Sequence, residues 1–500
     1  MNTFIISCQR CVMANAIHIA ALLGVVLFLV VSPEAHAESP YAQFKSGVPL
    51  DEIRCSGELV LLESPRGTPA CVSETSAEKL LERGFSMVEQ NMDMMKDGDM
   101  MKDGDMMKDG DMMKDGDMMM KSELTGEIEI GSLLPLSGRL SGHGEENRAG
   151  TVFGVIKFNE YLESIEATWS FKLVSEDTAT NQQIALDKLT NLNAKKIKIV
   201  IGPETSANSK HVLQYANNNG MLLVSCCSTA PALAIVDDNL YRLVADDSNQ
   251  GPALAALIAN EGIEAIVPIW RNDAYGEGLQ KTAGDAFKAK DGVIGETIPY
   301  DPDTPEFSVS TSLLAEKVQE HVDRLGAEKV GVLYIGFNEI QQFAHSASDH
   351  EVLNQVRWFG PDGATKQENL IIDPIASTFA EKVEFTTLQV AAAENPTYLS
   401  VQEYVETELG RAPSTFAHSS YDAVWLVGLA MLETGSSDVD EIKAVIHKVA
   451  EGYDDFALGS ITLNEAGDLS EADYEIWGTR DGEWKRLGTY TYSDGMIILN

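Results

Sequence analysis

The sequence predicts an α/β protein whose parallel sheets are covered by helices on both faces, and three observations carry that expectation. From Glu127 onward, short apolar runs rich in β-branched residues alternate with amphipathic stretches of helical period. Runs such as IKIVIG, MLLVS, AIVPIW and GVLYIG are continuously apolar, the pattern of strands buried on both faces. With 500 residues and 44% hydrophobic content, the chain is globular but too long for one compact core, so two or three domains are expected.

The N-terminus reads as a targeting segment. Arg10 precedes the apolar stretch from Ile19 to Val31, and SPEAHAES offers an Ala-x-Ala cut after Ala37. That stretch is short of the roughly 20 residues that span a membrane. Residues 1–37 are therefore expected to be a cleaved signal, with an uncleaved anchor as the alternative. No cysteine stands at the cut for a lipid anchor. Export to the cell surface or medium permits disulfides. A Cys55–Cys71 bridge would close a short loop and stabilise residues 38–90 by roughly 3 kcal/mol. Within that module one short strand is expected at Leu59 to Leu62, a turn at SPRGTP and a helix from Ser76 to Arg83. The adjacent Cys226 and Cys227 read equally as a vicinal bridge or as two small free thiols.

Residues 91–121 repeat DMMKDG four times from Asp93 to Gly116 and hold twelve of the eighteen methionines. Met, Asp, Lys and Gly in this proportion bury no core, so the segment reads as a disordered linker. Paired thioethers such as Met94, Met95, Met100 and Met101 also suit Cu(I), but aspartates are hard ligands and the repeat lacks His and Cys.

Charge narrows the partners. Acidic residues number 77 against 37 basic, a net charge of −40, which argues against nucleic acid or an anionic membrane surface. A neutral, zwitterionic or cationic ligand suits that field better. Membrane association is expected only through a partner or an uncleaved N-terminus. The chain shows no nucleophile elbow, zinc-protease helix, phosphate loop or His/Cys cluster with metal spacing. Neither catalysis, a bound metal nor a cofactor is expected.

In parallel sheets ligands sit at the carboxyl ends of the strands. IGPETSANSK places Thr205 and Ser206 before a helix from Ser206 to Asn218. VSCCSTAPAL places Ser228 and Thr229 before what reads as another helix, with Pro231 in its first turn. Each lone hydroxyl is accounted for by N-capping. Two such turns after neighbouring strands bring free amides and helix dipoles to one point, which suits a small carboxylate. Tyr275 in WRNDAYGEGL, Phe337 in YIGFNE and Asp362 in WFGPDG stand at further strand ends, with loop packing or turn formation as the simpler alternatives.

From Glu127 to the C-terminus the chain resembles the type I periplasmic binding proteins of the leucine/isoleucine/valine-binding class. GSLLPLSGRLSGHGEENRAG, VIGPETSAN, VSCCSTAPAL, NDAYGEGL, YIGFNE, FGPDG, SSYDAVWL and LGSITLNEAGDL occur in family order at family-like spacing. The resemblance implies two Rossmann-like lobes joined by three crossovers, 127–246 with 391–457 and 247–390 with 458–500. It implies capture of an amino acid of branched-chain or aliphatic type, and delivery to an ABC importer. Carried over, Ser206, Ser228 and Thr229 hold the ligand carboxylate and Cys227 lines the pocket. Tyr275 closes over the ligand, Asp362 pairs with its ammonium, and His143 and Phe337 supply ring contacts. Asp362 is one carbon shorter than the family's glutamate, Cys227 bulkier than alanine, and Phe337 lacks a hydroxyl. An amide or urea-like ligand therefore stays open, as does a sensing ectodomain of the same fold. The module around Cys55 and Cys71 resembles short cysteine-paired modules near the N-termini of secreted archaeal proteins.

Overall fold

A computed structural model describes residues 48–50, 53–55, 60–63, 69–72, 86–88, 124–391, 393 and 395–500. The chain divides into two units, 1–115 and 116–500. In the first, β1 (Val60–Glu63) pairs antiparallel with both β2 (Pro69–Val72) and β3 (Ser86–Met87). Ile53, Leu61 and Leu62 are buried there, and Cys55 is disulfide-bonded. Three strands replace the single one expected, because strands of two to four residues are too short to show a period. The signal segment, the helix expected from Ser76 to Arg83, the side chain of Cys71 and the methionine repeat with Met94, Met95, Met100 and Met101 lie outside the described residues.

The second unit carries two sheets. The first is parallel, with β4 (Gly126–Leu134), β5 (Trp169–Asp177), β6 (Ile199–Ile201), β7 (Leu222–Ser225) and β8 (Leu240–Arg242) in the order β5-β4-β6-β7-β8. Between its strands run α1 (Ser141–Ser164), α2 (Gln182–Ala194) and α3 (Ser206–Asn218). The chain then crosses over through α4 (Asp247–Asn260) to β9 (Ala265–Arg271), followed by α5 (Ala274–Lys288), β10 (Val293–Ile294), β11 (Ile298–Tyr300) and α6 (Ser308–Leu325). Next come β12 (Val330–Ile335), α7 (Ile340–Ser348), β13 (Arg357–Gly360), α8 (Glu368–Ile372), α9 (Pro374–Lys382) and β14 (Thr386–Val390). Strands β9, β12, β13 and β14 pair in parallel at the heart of this nine-stranded sheet.

A second crossover leads to α10 (Pro396–Leu409), α11 (Thr415–Thr434) and α12 (Val439–Glu451). Their apolar faces share one core with α1 and the first sheet, including Phe158, Trp169, Val424 and Ile446. The third crossover returns the chain to β15 (Tyr474–Arg480), β16 (Glu483–Thr491) and β17 (Met496–Leu499), which extend the second sheet antiparallel. Among the described residues no helix is long and apolar enough to cross a membrane.

One expected helix is absent. After β7, residues Pro231–Leu233 form a single 3₁₀ turn, and the chain passes Asp237 at positive φ into β8. The reason is tertiary. Buried Arg242 donates Nη1 to the carbonyls of Ser228 and Ala230 at 3.0 and 2.9 Å. Its other nitrogens grip Asp468 at 2.5 and 2.6 Å. Helix propensity across five residues is too weak to compete with a fully buried bidentate pair.

Candidate ligand-binding site

The strand ends of both sheets face one cavity. From the five-stranded side, Leu140 and His143 reach it from the start of α1, Glu204 to Ser206 from the turn after β6, and Cys227 from the turn after β7. From the nine-stranded side come Tyr275, Phe337, Asp362 and Gly363, while Phe416 enters from α11, which packs with the first sheet. The cavity at this convergence is about 20 Å³, room for a water molecule and far less than an amino acid needs, so a solute of that size enters only when the two sides move apart.

Each side chain on the nine-stranded side is fixed by its neighbours. Asp273 caps α5, accepting from the backbone N–H of Tyr275 and Gly276 at 3.1 Å, and so sets the start of the helix that carries Tyr275. Arg271 donates to Asp273 at 2.9 Å and pairs with Glu339, whose second oxygen accepts from the Phe337 amide at 2.9 Å. The same guanidinium lies 4.1 Å from the centre of the Phe337 ring, which stacks on Tyr275 at 5.3 Å. Tyr275 Oη donates to Asp362 Oδ1 at 2.8 Å, and the Gly363 amide donates to the same oxygen at 2.6 Å. A side chain at position 363 would stand 2.8 Å from Phe337 and 3.0 Å from Tyr275 Oη, so only glycine lets these rings approach.

Asp362 Oδ2 is left buried without a partner. Burial raises the Asp362 carboxyl, while the bonds from Tyr275 and the Gly363 amide, with Gln250 close by, oppose that rise. Its neighbour Asp247 is held well above the usual carboxylate range by burial and then by the charge of Asp362. Burial raises both carboxyls, and the two donors on Asp362 Oδ1 hold that group the lower of the pair.

On the five-stranded side the turns point inward but are largely closed on themselves. Thr205 caps α3 through Asn208 N–H at 3.2 Å. Ser206 Oγ accepts from the amides of Thr229 and Ala230 at 3.0 and 3.1 Å. Ser225 Oγ accepts from the Ser228 amide at 3.2 Å and donates to the Pro203 carbonyl at 2.6 Å. The amides that a carboxylate would use are thus held by the chain's own hydroxyls. Cys226 and Cys227 are bonded to each other. His143 spans the cleft, its Nε2 3.2 Å from the Thr365 carbonyl. Burial, then the charge of Arg411, lowers its imidazole to about 4.

Of the residues singled out in the sequence, the structure brings Ser206, Cys227, Tyr275, Asp362, Phe337 and His143 to the cavity. Ser228 and Thr229 stand behind it, buried and with their hydroxyl oxygens unpartnered, because Arg242 and Ser206 hold that turn from its backbone. Glu204, Leu140, Gly363 and Phe416 line the cavity without having been singled out. For Glu204 no local signal existed: an acid just before a helix N-terminus, in GPETS, is favoured by the helix dipole wherever its side chain ends up. Among the described residues no group of three or more His, Cys, Asp or Glu is placed to hold a metal ion.

Two sheets, three crossovers and a cavity between the strand ends define a two-lobed binding protein of the type I periplasmic class. The chain belongs to the receptor family ligand binding region, whose model matches residues 155–482. An uncharacterized protein of Methanocaldococcus jannaschii is 26% identical over 387 residues, covering 74% of this chain and 91% of its own. The Leu/Ile/Val-binding protein homolog 3 of Brucella melitensis is 26% identical over 363 residues, 71% of this chain and 92% of its own. Among solved structures, the leucine-binding protein LivK of Thermotoga maritima superposes with a TM-score of 0.63 at 20% identity, over 73% of this chain and 99% of that one.

Proposed function

We propose that this is an extracytoplasmic solute-binding protein that captures an α-amino acid between its lobes and hands it to an ABC importer. Hinge closure would bring 127–246 with 391–457 against 247–390 with 458–500. The observation that carries the reading is Asp362, which lines the cavity with Oδ1 engaged by two donors and Oδ2 buried and unpaired. An ammonium supplies the missing partner, and a charge-assisted bond in a sealed site is worth more than one in water. Ser206, released from the amides of Thr229 and Ala230, would share those donors with the ligand carboxylate. Leu140, Phe337 and Phe416 would pack against the aliphatic part of the side chain. The names of the curated relatives, Leu/Ile/Val-binding proteins, support the amino-acid class.

The test is a thermal-shift screen of the full chain against the twenty amino acids, small amides and urea, repeated with Asp362→Asn. A ligand at a hundred times its dissociation constant adds roughly 2.7 kcal/mol, a rise of several degrees. The expected result is a rise with amino acids that disappears in the variant. A response to urea or amides alone would reject the amino-acid reading. A sensing ectodomain of the same fold is the second reading, favoured by the matched family being a receptor's ligand-binding region. Binding assays of the importer's membrane subunits against the closed protein separate the two.

A further inference from the structure

Asp362 answers to an α-ammonium, but a second carboxylate in the cavity has no such account. Glu204 lies at the end of β6, where Gly202 at φ +105° lets the backbone pass 2.5 Å from the Leu133 carbonyl, measured from where a side chain would begin. The chain thereby turns Glu204 into the cavity, 1% exposed and with neither carboxylate oxygen in a hydrogen bond of ordinary geometry. The Asn147 amide approaches it, and burial outweighs that contact, pushing the carboxyl up to about 8.

The residues lining the cavity include neither Lys nor Arg. The nearby guanidinium groups are committed elsewhere: Arg242 to Asp468, Arg271 to Asp273 and Glu339, Arg411 to Glu146. Thr205 also lines an open groove whose other walls carry Asp273, Asp301 and Asp303 against Arg271 and His211, and the sequence as a whole carries −40. Cations are therefore drawn towards this site, and a buried acid left unpaired is a cost that folding alone does not explain.

We propose, on the basis of the amino-acid reading above, that the ligand is a small diamino acid whose second, cationic nitrogen is held by Glu204. The α-ammonium then meets Asp362, a short methylene stem lies against Leu140 and Phe416, and the terminal ammonium meets Glu204. A purely aliphatic side chain would leave Glu204 buried and unpaired. Sites built around such a bond reject the analogue that lacks the donor far more strongly than apolar pockets reject a missing methylene.

Calorimetric titration of the full chain with 2,4-diaminobutyrate, ornithine, lysine, leucine and glutamine tests this, alongside Glu204→Gln and Glu204→Leu. The diamino acids are expected to bind the natural protein at least about 100-fold more tightly than leucine, from the loss of one buried charged contact. Glu204→Gln should remove most of that advantage without lowering the melting temperature, and Glu204→Leu should turn the preference towards leucine. Leucine or glutamine binding the natural protein as tightly as the diamino acids would overturn the proposal and leave the amino-acid reading standing. So would unchanged diamino-acid affinity in Glu204→Gln. The comparison among ligands on the natural protein decides the matter even if a variant fails to fold. If none of the five binds, the amino-acid reading falls and this inference with it.

Discussion

On the nine-stranded side of the cleft, Asp273, Arg271, Glu339, Phe337, Tyr275 and Asp362 form a chain of bonds and stacked rings that ends in one free carboxylate oxygen. On the five-stranded side, the hydroxyls of Ser206 and Ser225 are spent on the chain's own amides, while Glu204, Ser228 and Thr229 are buried with polar atoms unpaired. The first wall is organised before a ligand arrives. The second must trade internal bonds for ligand bonds, so its contribution to affinity is a difference between two nearly equal terms. On the proposed function, specificity at low cost would belong to the first wall, and the second would decide which side chains are admitted.

Five changes break or sharpen that contrast, taken from the largest expected effect. Arg242→Leu leaves Asp468 charged and buried and frees the carbonyls of Ser228 and Ala230, undoing the support of the five-stranded wall. It should cost about 3–5 kcal/mol in urea denaturation. A loss below about 1 kcal/mol would mean that the turn holds itself.

Asp362→Ala removes the one free acceptor of the organised wall and should weaken amino-acid binding by roughly 2–3 kcal/mol, about 30- to 150-fold, in calorimetry. Stability should change little: relief of a buried carboxylate and of its push on Asp247 offsets the acceptor lost to Tyr275 Oη and the Gly363 amide. Weaker binding accompanied by a lower melting temperature would instead mark Asp362 as structural.

Gly363→Ala drives a methyl group against Phe337 and Tyr275 and should cost about 1–2 kcal/mol of binding through overpacking. Gly262→Ala, where the open space leaves only a positive φ to strain, should cost stability without touching affinity.

The smallest effect concerns His143, which joins the walls. Its imidazole is lowered from 6.5 to about 4 by burial, so the folded protein binds this proton less readily than the unfolded chain. The stability it contributes is complete above pH 6.5 and drains away as the pH falls towards 4, by roughly 1 kcal/mol at pH 5.5. Melting curves at pH 7.5 and 5.5 should therefore fall further in the natural protein than in His143→Gln. Glu204 and Asp422, both raised to about 8, act in the opposite sense but are common to the two proteins and cancel in the comparison. Parallel losses would show that the cleft does not seal His143.

Much of the fold was legible because its signals are local. The apolar runs that became β6, β7, β9 and β12 are continuous, and α3 begins and ends where its capping residues say it should. Tyr275, Phe337 and Asp362 could be singled out because each follows a strand in a sheet of parallel type. Glu204 could not be weighed in the same way. Whether an acid is solvated or sealed depends on what covers it, and here the cover comes from residues as distant in sequence as Phe416.

By itself, then, the sequence determined the alternation of strands and helices, the family to which the chain belongs and the strand ends at which the cavity forms. These follow from side-chain periodicity, capping and the geometry of parallel sheets, all of which act over a few neighbouring residues. The tertiary structure decided that SCCSTAP opens a 3₁₀ turn instead of a helix, that Cys226 bonds Cys227, and that Ser228 and Thr229 stand behind the cavity while Glu204 enters it. Those outcomes turn on the buried Arg242–Asp468 pair, 226 residues apart in the chain, and on which groups are sealed from water when two sheets meet. No local propensity encodes either.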